Sequence, residues 1–282
     1  MENNRIYNKN CISILYFLMF ICIIGCAHTG DKKDFSDPSM TFQDETNSLE
    51  MKFIYIKPGT FTMGSPENEP GRDSDETLHQ VTFAQGFYIQ STEVTQGQWK
   101  AVMGDNPSYV PGCGDTCPVD QVSWNDVQEF IRKLNQKEGK NYRLPTEAEW
   151  EYSARAGSTT PFYKDACLTT EQANYDGNYP LDGCQKGQLL SETLPVQSFE
   201  ANEWGLYDMH GNVNEWCQDW YGNYSSDNVT DPTGPSSGSG RVLRGGSCFS
   251  HARFCGSANR INFDPARKTI DSGFRLVFLP GQ

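Results

Sequence analysis

One stretch, residues 205–221, constrains this chain more than any other. It places the carboxylates of Asp208 and Glu215 on either side of Gly211, then runs into a segment whose Trp216 and Trp220 require burial. Hard cations such as Ca²⁺ take carboxylate and carbonyl oxygens, and a glycine turn lets the backbone face inward to supply the carbonyls. The same residues also suit a hairpin whose Asp and Glu face water. On the residues alone, both readings stay open.

The chain has 282 residues, of which 37% are hydrophobic and 12% aromatic, enough to pack one compact domain. A formal charge of −13 argues against nucleic acid and anionic lipid as partners and suits cation binding. Residues 1–25 read as a lipoprotein signal peptide. Arg5 and Lys9 form a basic start, an apolar run follows from Cys11 to Ile24, and the run is shorter than a spanning helix requires. Ile23-Ile24-Gly25-Cys26 resembles a bacterial lipobox, so Cys26 is the expected lipidated residue. A plain secretory signal or a short anchor is the alternative. Acylation with more than one chain would hold the protein on a membrane of the cell envelope, periplasmic or surface-facing. Residues 26–50 are polar and aperiodic and read as a flexible tether, with the domain spanning 51–282.

Export makes disulfides the default fate of cysteine. Cys113 with Cys117, and Cys167 with Cys184, bracket short local loops. Cys217, Cys248 and Cys255 are left over, and a bond from Cys217 to one of the other two is the favoured pairing. No Cys-x-x-Cys pair points to zinc.

Along the domain, Phe53–Ile56 and Thr60–Ser65 read as strands of a hairpin turning at Pro58-Gly59, and residues 81–89 as a further strand. Thr95-x-x-Gln98, Ser123 and Thr146-x-x-Glu149 announce three helices by their caps. Strand character returns at 193–196, 216–220, 241–247 and 273–278, while 158–187 and 227–240 are rich in turn-forming residues.

Seven motifs in order carry a resemblance. They are residues 62–65, Glu93-Val94-Thr95, residues 118–124, residues 143–152, the 205–221 stretch, Arg244-Gly245-Gly246-Ser247 and Gly273-Phe274-Arg275. Together they resemble the formylglycine-generating enzyme, or sulfatase-modifying factor, family. The resemblance implies an α+β, variant C-type-lectin-like fold with little regular structure. It implies one Ca²⁺ on the side chains of Asp208 and Glu215 and the carbonyls of Gly211 and Val213. Asn174 and Tyr175 match half of a second site, whose other half would fall at Gln188 and Leu190.

Enzymes of the family oxidise a sulfatase cysteine to formylglycine with O₂ and Cu(I) held by two cysteines. By position these fall on Ser250 and Cys255, with Ser247 retained and Asn214 where the family pattern has Trp. A soft ion such as Cu(I) is suited by thiolates and not by a hydroxyl. Cys248 is a candidate substitute thiol, displaced by two strand residues, about 6–7 Å. The expectation is therefore a calcium-stabilised binding or scaffold protein with a protein or glycan partner at the envelope. The alternative is an active oxidase acting on a sulfatase polypeptide, with Cys255, Ser250 and Ser247 in its site. His79, His210 and His251 form no recognisable ligand triad.

Overall fold

The computed structural model describes residues 42–109 and 113–281, all within one compact unit of the chain. The signal peptide and Cys26 lie outside the described residues. Among those described, no helix is long and apolar enough to cross a membrane.

Among the described residues there are three small sheets, three α-helices and a short 3-10 helix at Ala252–Cys255. The first sheet has the order β1-β2-β5-β11, from Glu45–Thr46, Lys52–Ile56, Phe87–Gln90 and Val277–Phe278, so the two ends of the domain meet in one sheet. In the second, β3 (Gly59–Met63) pairs β4 (His79–Phe83), which pairs β7 (Val229–Thr230). The third has the order β10-β6-β8-β9, from Ser272–Gly273, Asn214–Trp220, Arg241–Arg244 and Ile261–Phe263.

All three expected helices form: α1 (Gln96–Met103), α2 (Trp124–Glu138) and α3 (Glu147–Arg155). Each opens on a capping box, in which the Thr95, Ser123 or Thr146 side chain accepts from the third helical N–H and that residue's side chain accepts from the cap N–H. Such a cap satisfies two of the donors a helix start leaves open. Helix α2 buries Val127, Phe130, Ile131 and Leu134, and Phe130 stacks on Trp99 of α1.

Several local expectations fail for physical reasons. The 53–65 hairpin does not form, because β2 pairs with β1 and β5 while β3 pairs with β4 in another sheet. The single strand at 81–89 is two, β4 and β5, broken at residues 84–86. Residues 193–196 form no strand. The Asn212 side chain accepts from the Leu194 N–H and donates to the Leu194 carbonyl, replacing a ladder partner. The last nine residues of the expected tether belong to the fold. Glu45 and Thr46 pair with β2, Phe42 stacks on Tyr55, and the Asn47 side chain accepts from the N–H groups of Leu49 and Met51.

Candidate functional site

The 205–221 stretch turns through four left-handed residues, Gly205 (φ 83°), Asp208 (φ 55°), Gly211 (φ 83°) and Asn212 (φ 64°), before entering β6. At Gly211 a Cβ would lie 2.2 Å from the Asn174 carbonyl oxygen, so only glycine fits. The turn brings Asp208 and Glu215 into one buried cluster with Glu93, a residue the sequence showed only as part of a motif. Glu215 accepts from Arg275 on both oxygens at 2.7 Å and from the Trp150 indole at 3.0 Å. Arg275, fully buried, also donates to the carbonyls of Gln90, Ser91 and Tyr207.

Glu93 is fully buried. One oxygen accepts from Asn212 and the other has no partner. Burial, and then the nearby Asp208 charge, push its carboxyl well above the ordinary range. Asp208 accepts from the Gln197 N–H at 2.8 Å, and burial holds its carboxyl up at about 6. Of the three carboxyls, Arg275 bonds only Glu215, and the Asp208 and Glu93 carboxyls nearby leave an excess of negative charge that burial penalises unless a proton or a cation joins it.

Asn174 and Tyr175, the expected half of a second metal site, are both buried. Asn174 donates to the Glu192 carbonyl and to Asn212, and its buried Oδ1 has no partner. Gln188 is engaged elsewhere, its carbonyl accepting from Gly177. The Tyr175 hydroxyl donates to the Leu168 carbonyl. Among the described residues no three His, Cys, Asp or Glu side chains gather as a metal cluster. A cation at either place would therefore draw on carbonyl and amide oxygens as well.

The Gly-Gly turn after β8 forms the other candidate site. Gly246 (φ 71°) packs so closely that a Cβ would meet the Cys255 sulfur at 2.6 Å. Ser250 Oγ accepts from the Ser247 N–H at 3.0 Å and lies 3.2 Å from Ser247 Oγ. The Ser247 hydroxyl donates to Asp271 at 2.8 Å, and Asn214 donates to the same carboxylate oxygen at 3.1 Å. Ser247, Ser250 and Asn214 therefore do come together, around an Asp271 that sequence reasoning missed. Its only sequence signal was its place two residues before the Gly273-Phe274-Arg275 motif.

Cys113–Cys117 and Cys167–Cys184 are disulfides. The expected bond from Cys217 is not made: Cys217, Cys248 and Cys255 are all free and buried. Cys217 packs in the core with Trp150 and Val242, whereas Cys255 packs in a separate cluster with Phe162, Tyr175 and Ala252. Burial pushes the Cys248 thiol up to about 12, helped by Asp271 and Asp120. It raises the Cys255 thiol further, with Cys248 close enough to contribute. The His210 ring is locked by the Cys255 carbonyl at 2.7 Å and the Tyr163 N–H at 3.1 Å, and burial lowers it to about 4.

The donor set does not suit the copper chemistry of the resemblance at positions 250 and 255. One position offers a hydroxyl already accepting a backbone N–H, so only the other offers a thiol.

The motifs converge in the same way elsewhere. Glu147 and Glu151 of α3 reach Arg260 and Arg244, with Arg155 closing on Glu151 at 2.8 Å. The scattered charged motifs are thus the two halves of buried ion networks.

Comparison with known proteins agrees with this geometry. The chain is 38% identical over 171 residues to a formylglycine-generating enzyme of Streptomyces coelicolor, covering 57% of this chain and 52% of that enzyme. It therefore spans about half the length of that relative. It is 33% identical over 233 residues to the chaperone protein LppX of Paenibacillus barcinonensis, covering 68% of this chain and 79% of that one. Among solved structures, the Treponema denticola variable protein 1 superposes with a TM-score of 0.74 at 30% identity, over 85% of this chain and all of that one. The fold is the expected α+β, variant C-type-lectin-like one. With a family match over residues 38–279, the chain belongs to the family of the Sulfatase-modifying factor enzyme 1-like domain.

Proposed function

We propose that this protein is a binding or scaffold member of its family, displayed from a membrane of the cell envelope by a lipid on Cys26, and that its partner is a polypeptide. The observation that carries the reading is Ser250. It occupies one of the two positions where the family's oxidases hold Cu(I), and its hydroxyl is tied to Ser247. Exposed apolar side chains support a polypeptide partner. Phe249 lies beside Ser250, and Ile270 beside Asp271. The relative from Paenibacillus barcinonensis is by name a chaperone protein, which fits the same reading.

Calcium fits the buried carboxylates better than copper fits the thiols. Asp208 and Glu93 have oxygens to offer, with the carbonyls of Gly211 and Val213 as further ligands, whereas both Glu215 oxygens are committed to Arg275. The orphaned Asn174 Oδ1 suits a second ion. A bound Ca²⁺ would neutralise the excess charge and fix the irregular loops at 174–213, contributing to folding and not to chemistry.

A second reading, an active formylglycine-generating oxidase, rests on the nearness of Cys248 to Cys255. The deciding experiment is Cu(I)-dependent conversion of a Cys-x-Pro-x-Arg peptide by the folded protein, alongside Cys248→Ala and Cys255→Ala. No turnover is expected. Turnover that disappears in both variants would replace the scaffold reading with a relocated copper pair.

A further inference from the structure

A cavity of about 450 Å³ lies at the far end of β6 from Asn214, beneath the Gly- and Pro-containing segment 222–235. Trp220 lies six residues along the strand from Asn214, roughly 20 Å, so this cavity is distinct from the Ser247–Asp271 site. Its size is within the range of about 300–1,000 Å³ that holds small ligands.

Three features of its wall define what would fit. First, Asp219 accepts from the Glu147 N–H through Oδ2 at 3.0 Å, but no described residue donates to Oδ1. Second, the His79 Nδ1 lies 2.9 Å from the Thr77 carbonyl, which can only accept. Nδ1 therefore carries a hydrogen, and Nε2 is left without a protein partner. Third, Trp220 and Tyr224 give the wall apolar surface, with the Tyr224 ring centred 4.8 Å from that of His79.

No net charge is left to attract an ion. Arg260 donates to both oxygens of Glu147 at 2.8 and 2.6 Å and to the carbonyls of Asp75 and Gly222, so its charge is paired and one Nη2 hydrogen remains to donate. Burial beside Glu147 raises the Asp219 carboxyl to about 8, so it is a neutral acid that both donates and accepts. An apolar occupant would strip water from Oδ1 and Nε2 without replacing it, and an ion would find no counter-charge. A molecule with several uncharged hydroxyls and an apolar ring face meets both demands.

We propose that the cavity lined by Asp219, His79, Trp220 and Tyr224 is a second binding site, and that its ligand is a neutral saccharide of one or two rings.

The test is saturation-transfer difference NMR on the full chain with glucose, galactose, N-acetylglucosamine, cellobiose and diacetylchitobiose at about 10 mM, a concentration that detects millimolar dissociation constants. At least one sugar is expected to receive saturation. Thr233 lines the cavity and is exposed, so Thr233→Trp fills the mouth without touching the core. It should reduce the transfer at least fivefold. Asp219→Asn, which keeps a donor and an acceptor, should leave it within about twofold. Phe249→Ala, at the other site, should have no effect. No transfer from any of the five sugars overturns the proposal, as does transfer that survives Thr233→Trp or is lost in Phe249→Ala. Loss in Asp219→Asn, with folding shown intact by circular dichroism, overturns the role given to the neutral acid.

Discussion

Replacing Asp219 by Asn should change how the protein's stability depends on pH. Asp219 is 4% exposed. Burial, then the charges of Glu147 and Glu149, raise it to about 8 against the ordinary 3.8, while the Glu147 N–H and Arg143 oppose the rise. The sign follows from proton counting. Between these two values the folded chain holds a proton on Asp219 that the unfolded chain has released, so stability falls as pH rises. Each pH unit within that window removes about 1.4 kcal/mol, or about 3 kcal/mol between pH 5 and pH 7. Asparagine does not titrate and still offers an oxygen to the Glu147 N–H. At pH 5 the variant should already be ahead by about 1.6 kcal/mol, and by pH 7 its lead should have grown to about 4 kcal/mol. Urea unfolding followed by tryptophan fluorescence at pH 5, 6 and 7 measures this directly, because Trp150 and Trp216 are fully buried. Other raised carboxyls, Asp120 and Asp208 at about 6 among them, tilt both proteins alike, so only the difference reports on Asp219. Parallel pH profiles would refute the reasoning, because they would mean that Asp219 is already ionised in the folded state.

Further outcomes test the rest of the structure. Arg275→Met leaves Glu215 buried without its guanidinium and should cost about 3–5 kcal/mol. Adding Glu215→Gln should restore part of that, and equilibrium unfolding of both variants would show whether it does. Calcium at about a hundred times its dissociation constant should add about 2.7 kcal/mol, raising the melting temperature by about 5–10 °C. EDTA or Asp208→Asn should remove the gain, and an unchanged melting temperature on calcium addition would dismiss the cation reading. Iodoacetamide should leave Cys217, Cys248 and Cys255 unmodified in the native protein and alkylate all three after unfolding. Mass spectrometry counts the adducts.

What the sequence disclosed was set by how local the physics is. The capping boxes at Thr95, Ser123 and Thr146 are complete within four residues, and each marks a helix start correctly. Strand pairing is not local. Pro58-Gly59 reads as a hairpin turn, yet the chain there crosses from one sheet to another, which only the distant partners β5 and β4 decide. The polar composition of residues 42–50 concealed a short strand, because backbone pairing and the Asn47 side chain hold it with little apolar burial. At the site, Asp208, Glu215, Ser247 and Ser250 were legible as motif positions. Glu93 was legible as a motif residue but not as a member of the site, and Asp271 not at all, since their importance lies in neighbours 119 and 24 residues away. Cys217 misled because a count of thiols says nothing about which core each one enters.

The charge networks around α3 also bear on the order in which the chain can assemble. Glu147 and Glu151 meet Arg260 and Arg244, 113 and 93 residues later in sequence. A buried carboxylate without its partner is strongly disfavoured, so α3 cannot settle into the core while those arginines are still unmade or unplaced. During synthesis the middle of the domain must therefore wait for its last quarter, and a chain cut short before Arg244 has no stable way to close. The protein is made as a whole or remains open.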